Sequence, residues 1–283
     1  MIKEIIDKLV ALLAVSALLA SCSESELWQN PQTEARDGYI MLNFKTEIPA
    51  MQEVVTRAVD PDGGGVQDMT LFCFDSYGLF ISTVKAGVTV QKPGPGEMEG
   101  TFKAEVPENT RTIHFLANQN MDEFKEDSFR NKSESEVMAV LEGSSGRMIY
   151  WGRFACDAGN DSNIAEQMAT SGNSVKLIRN HARISVDNPD NNGHIVITGF
   201  AVCNTNAFGT VAPHHPKKGF DFTWPSSDDP FVTLPVNDAK MSDITDVTSS
   251  MNQYVFECEN SADAPVSVIL RGHLPDQDEE KYY

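Results

Sequence analysis

From Asp68 onward the apolar residues of this chain fall into short β-prone runs separated by turn signals. None of the intervals holds a period-3.6 stripe long enough for the helix of a parallel crossover. This spacing restricts the chain to mostly antiparallel sheets. Met69–Phe74 and Leu79–Val84 flank Asp75-Ser76-Tyr77-Gly78, a hairpin turn by composition. Thr101–Val106 alternates, with Phe102, Ala104 and Val106 on one face and Thr101, Lys103 and Glu105 on the other. Lys92–Gly96 contains two prolines and is expected to be a loop outside any ladder. Thr112–Ala117, Met148–Phe154, Val175–Val186, His194–Cys203, Phe231–Val236, Tyr254–Glu257 and Val266–Gly272 read as further strands. The stretch 118–146 is polar and holds one helical signal. There Ser133-Glu134-Ser135-Glu136 is a capping box ahead of Val137, Met138, Val140 and Leu141. A second helical turn is expected around Ile164–Met168. The resulting expectation is all-β: two consecutive antiparallel β-sandwiches with minor helix, one over 58–172 and one over 173–283.

The N-terminus is read as an address. Leu9–Ala20 is apolar or small and uncharged, too short to span a bilayer but fitting a signal-peptide core. It ends in Leu19-Ala20-Ser21-Cys22, which resembles the bacterial lipobox, in which the cysteine is acylated and becomes the new N-terminus. Residues 1–21 are then signal peptide and Cys22 the lipidation site, with acyl chains sufficient for stable anchoring. The following Ser23-Glu24-Ser25-Glu26 resembles the export signal of Bacteroidales surface lipoproteins and also serves as a solvated tether. The outer membrane, on its outer face, is the expected location. Residues 22–57 combine this tether with the β-prone run Tyr39-Ile40-Met41-Leu42-Asn43-Phe44.

Charge excludes several partners. With 22 Lys+Arg against 41 Asp+Glu the formal net charge is −19, unsuited to nucleic acid or to anionic lipid. Residues 1–57 carry only 5 basic and 8 acidic side chains, so the acidity belongs to the body of the chain. No nucleophile elbow, zinc-protease helix, phosphate loop or dinucleotide fingerprint is present. No catalytic residue, metal or cofactor is assigned. His214-His215 is a poor metal pair, because adjacent side chains on an extended chain point apart. Asp187–Gly193 has the wrong spacing for a calcium loop and reads as a hairpin turn. Cys73, Cys156, Cys203 and Cys258 have no CxxC spacing; buried thiols and one or two disulfides both remain open. Trp151 and Trp224 are candidates for a glycan platform, weighed against packing. Arg57-Ala58 precedes the Gly-rich Asp60–Gly65 and offers a bond to an Arg-specific protease.

Several segments together resemble the fimbrillin family, the type V pilins and associated lipoproteins of Bacteroidales. They are Leu177–Val186 followed by Ile195–Asn204 and Gly209-Thr210-Val211-Ala212-Pro213, with Leu71–Asp75, His114–Asn118, Tyr254–Glu257 and Thr56-Arg57-Ala58. The resemblance implies two transthyretin-like, Greek-key sandwiches and no enzymatic activity. It also implies an assembly route. An Arg-specific protease cuts Arg57-Ala58 and removes the lipidated segment with the strand Tyr39–Phe44. A strand from another fimbrial subunit then fills the groove, giving a homo- or hetero-polymer. The family usually runs longer, so the second sandwich is expected to be one or two strands short. The alternatives are an uncleaved anchor or accessory lipoprotein held by Cys22, or a tip adhesin for host protein or glycan.

Overall fold

The structure, a computed structural model, describes residues 35–48, 66–93, 98–144, 148–186, 195–206, 208–215, 219–220, 222, 252–256, 262–263 and 265–283. It is predominantly β, as its turn-separated apolar runs require. Among the described residues no helix is long and apolar enough to cross a membrane.

The first sandwich uses nine strands: β1 Tyr39–Glu47, β2 Met69–Phe74, β3 Phe80–Lys85, β4 Gly87–Pro93, β5 Met98–Pro107, β6 Thr112–Ala117, β8 Tyr150–Ala155, β9 Ser174–Lys176 and β10 Ile178–Arg179. One sheet has the order β4-β5-β1-β9 and the other β10-β8-β6-β2-β3. The β1–β9 pair is parallel; the other described pairs are antiparallel. Pro93 does sit in the ladder, opposite Met98. It is tolerated there because β4 is an edge strand, where a missing N–H faces away from the sheet.

Ile40, Leu42 and Phe44 of β1 share one apolar core with Phe102, Ala104 and Val106 of β5, and with Leu71, Cys73, Ile113 and Phe115 of the facing sheet. The second sheet is buried on both sides. Every residue of β2 and β6 is buried, which is why both read as continuous apolar runs. Its outer face packs Phe72, Phe74, Leu116 and Trp151 against Val137, Met138, Leu141, Val211 and Ala212.

Local signals explain the connections. Asp75 Oδ1 accepts from the N–H groups of Tyr77 (2.8 Å) and Leu79 (3.0 Å), and Gly78 takes φ +72° in the β2–β3 turn. Helix α1 (Glu134–Met138) begins at the Ser133–Glu136 capping box. Helix α2 (Ile164–Thr170) begins at an equivalent box from Asn163 and Glu166, and buries Ile164, Ala165 and Met168.

The run expected as one strand over Val175–Val186 is divided among three sheets. β9 joins β1, β10 joins β8, and β11 (Ala182–Ser185) pairs with β16 (Asn252–Val255). Between β9 and β10 the chain passes over Gly152, where a Cβ would lie 2.5 Å from the Lys176 carbonyl and 2.8 Å from Leu177. Only glycine allows that approach.

Beyond it, β12 (Val196–Cys203) pairs with β17 (Ser267–His273), which carries β18 (Lys281–Tyr282) on its other edge. Gln253 of β16 joins β11–β16 to β12: Val202 N–H donates to its Oε1 (3.0 Å) and its Nε2 donates to the Phe200 carbonyl (2.5 Å). β7 (Glu142–Ser144) pairs with β13 (Phe208–Thr210), and β14 (His214–His215) with β15 (Gly219–Phe220). The strand expected over Phe231–Val236 lies outside the described residues.

Candidate functional site

Tyr39–Phe44 forms the first two-thirds of β1, which occupies an interior position of its sheet. On one side it runs antiparallel to β5 from Tyr39↔Pro107 to Thr46↔Gly100. On the other, β9 pairs only with its last three residues, Lys45↔Ser174 to Glu47↔Lys176. Leu42, Phe44 and Thr46 are 1%, 0% and 0% exposed, so β1 is a core element rather than an appended edge. The Phe44 ring stacks on Phe102 at 5.5 Å and meets Phe115 of the facing sheet edge-on at 5.0 Å.

The C-terminal end of β1 is tied by Lys45 N–H to the Asn173 carbonyl (2.8 Å), by Leu177 N–H to the Glu47 carbonyl (2.8 Å), and by Ser174 Oγ to Glu47 Oε1 (2.5 Å). Thr46 Oγ1 accepts from Gly100 N–H at 3.3 Å. At the N-terminal end, Tyr39 N–H donates to the Arg36 carbonyl and Glu108 N–H to the Gly38 carbonyl, each at 3.0 Å. Apart from the local Arg36–Tyr39 turn, these terminal ties were not visible in the sequence, because their partners lie far along the chain.

A second buried arrangement holds α1 against the outer face of the second sheet. Trp151 Nε1–H donates to His114 Nδ1 at 3.0 Å. An indole can only donate, so the imidazole proton sits on Nε2 and is given to Glu134 Oε2 at 2.7 Å. Arg153 Nε donates to the same oxygen at 2.7 Å, and its terminal nitrogen to Oε1 at 3.2 Å. Burial lowers the basicity of His114, against the opposing hydrogen bond to Glu134, in line with the neutral tautomer that the Trp151 donor requires. For Glu134, burial pushes the carboxyl up, but the hydrogen bonds from His114 and Arg153 and the Arg153 charge outweigh it and hold it at about 2. The four residues fix a cover in place. With the ring enclosed on both nitrogens they offer no free base to a substrate. Irregular spacing along two strands and a helix left them invisible in the sequence; only the capping box marked Glu134 as a first-turn residue.

Trp151 is 1% exposed, so it packs and does not form a platform. His214 packs edge-on against Phe220 at 5.0 Å. Among the described residues no group of three or more His, Cys, Asp or Glu could hold a metal. Cys73, Cys156 and Cys203 are free thiols; Cys73 and Cys203 are buried. Cys22, Arg57, Ala58, Trp224 and Cys258 lie outside the described residues.

No protein-family profile matches the chain, and no curated protein does. Solved structures do. A proposed cell adhesion protein from Parabacteroides distasonis is 14% identical with a TM-score of 0.50, covering 85% of this chain and 78% of that one. A proposed cell adhesion protein from Bacteroides eggerthii is 10% identical (TM-score 0.41; 86% and 78% covered). The fimbrial anchor protein Mfa2 from Porphyromonas gingivalis is 11% identical (TM-score 0.32; 86% and 82% covered). In architecture, this chain is similar to the Parabacteroides distasonis protein over most of both lengths.

Proposed function

We propose that the protein is a cell-surface fimbrial subunit, exported as a lipoprotein on Cys22, whose β1 is a replaceable strand. The observation that carries this reading is the position of β1. It lies between β5 and β9 in its sheet with Ile40, Leu42 and Phe44 buried, yet it is supplied by the N-terminal segment, and Arg57 lies ten residues beyond its end at Glu47. Cutting Arg57-Ala58 separates the strand from the body without touching another described element. Ile40, Leu42, Phe44 and Ile48 are all buried; at about 2 kcal/mol each, their burial contributes about 8 kcal/mol. Removal of β1 uncovers Phe102, Phe115 and the inner edge of β5, leaving an apolar groove lined by unpaired backbone groups. Such an edge is a template for a strand of the same inward pattern from another subunit. A head-to-tail exchange of this kind grows a filament. The shared fold with a Parabacteroides distasonis protein of proposed adhesive role accords with a surface location.

The second reading is an uncleaved anchor or accessory lipoprotein. The pairing of β1 on both sides favours it, since a chain that keeps β1 has a filled core. N-terminal analysis of the surface-assembled protein separates the two: Ala58 supports the subunit, lipidated Cys22 the anchor. Arg57→Ala should block assembly; filaments of normal length from that variant would refute strand release. Cys22→Ala should abolish labelling by a fatty-acid probe.

A further inference from the structure

Resting on that reading, the chain has a problem of choice. Arg36 and Arg57 flank β1, and a cut after Arg36 would detach the tether while leaving the groove filled. The folded chain treats the Arg36–Asp37 bond distinctively. The Arg36 carbonyl accepts from Tyr39 N–H at 3.0 Å, and Gly38 takes φ +76°, so the residues after Arg36 form a turn rather than an extended strand. The turn is pinned to the opposite strand end by Glu108 N–H on the Gly38 carbonyl (3.0 Å) and by the Tyr39↔Pro107 pair. The guanidinium is also committed: Nε lies 2.6 Å from Glu105 Oε2, and Cζ 4.3 Å above the Tyr39 ring.

A protease of arginine specificity needs that side chain in its pocket, an extended backbone, and the scissile carbonyl in its oxyanion hole. Here all three are engaged elsewhere. The side chain is still 67% exposed, so the protection resides in the turn and its carbonyl rather than in burial. We propose that the Arg36–Tyr39 turn is a proteolytic latch. While β1 occupies the sheet it withholds Arg36–Asp37 and leaves processing to Arg57; once β1 departs, the turn loses its partners on β5 and Arg36 becomes cleavable on the released segment.

The test uses the full chain carrying Cys22→Ala, digested with an Arg-specific endoprotease, with new N-termini at Asp37 and Ala58 followed by mass spectrometry. A synthetic peptide of residues 30–45 gives the unprotected rate at Arg36. We expect cleavage at Arg36 in the folded chain to be about a hundredfold slower than in the peptide, following the population of the open turn. Tyr39→Ala with Glu105→Gln, which removes the ring and the charge but not the turn's glycine, should speed it about tenfold. Cleavage of the wild-type chain at Arg36 at the peptide's rate overturns the latch, whatever happens at Arg57. Should the double variant gain equally at Arg57, the sandwich has loosened as a whole and the wild-type-to-peptide ratio decides. Protection of Arg36 without any Ala58 terminus would sustain the latch while refuting processing at Arg57.

Discussion

Phe44→Ala tests whether β1 is held as strongly as its position implies. The ring is fully buried, stacked on Phe102 at 5.5 Å and edge-on to Phe115 at 5.0 Å. Truncating a buried Phe costs about 3–5 kcal/mol, and losing two aromatic contacts places this site in the upper half, at about 4 kcal/mol. With a urea slope of about 2.5–3 kcal/mol/M for a domain of this size, the midpoint should fall by about 1.5 M. The Cys22→Ala chain, unfolded in urea and followed by tryptophan fluorescence, reads this out, since Trp151 is buried in the facing sheet. Lys45→Ala is the control: it lies on the same strand, exposed, and should shift stability by no more than about 0.5 kcal/mol. A Phe44→Ala shift under about 0.4 M, or one matched by Lys45→Ala, would refute the packed-strand argument and with it the groove.

Acid should weaken the fold in two windows. The Glu134 carboxyl is held at about 2 in the folded state against an ordinary 4.5, so the stability it contributes is present above about pH 4.5 and is lost as pH falls toward 2, about 3 kcal/mol in all; Glu134→Gln should flatten urea midpoints measured across that window. Burial lowers His181 to about 4, with its ring on Phe256 at 3.8 Å and its Nδ1–H on Asn180 Oδ1 at 2.7 Å. Its neutral form contributes stability fully present above about pH 6.5 and lost on acidification toward pH 4, and His181→Asn should remove part of that slope while His114, shifted the same way, retains the rest. Among the described thiols, Cys156 should react first with a disulfide reagent at pH 8, because it is only partly buried whereas Cys73 and Cys203 are buried; burial raises all three thiols and pushes Cys73 up to about 12; modification of Cys73 in the native protein at the rate of Cys156 would contradict its packing.

Much of the local structure was legible in residue order. Asp75–Gly78 carries its own turn chemistry, and the Ser133–Glu136 box its own helix start, because their hydrogen bonds close within four residues. The alternation in Thr101–Val106 assigned its faces correctly, since period 2 is intrinsic to a strand. Other features resisted reading. Pro93 was excluded from a ladder because its edge position could not be known. The Val175–Val186 run carries no break signal at Leu177; its division comes from meeting β1, β8 and β16 in turn. The His114–Glu134–Arg153–Trp151 cluster has no sequence spacing at all, being assembled by strand pairing and by the seat of α1.

For the candidate site the division is sharp. Residue order alone determined that Tyr39–Phe44 is a β-prone run and that an arginine follows it. Only the tertiary structure decided that this strand lies inside a sheet, against β5 some sixty residues later and parallel to β9 further on. The physical reason is that side-chain alternation and turn chemistry are local, whereas a strand's partners are chosen by burial of its apolar face and by the satisfaction of backbone groups across the whole chain.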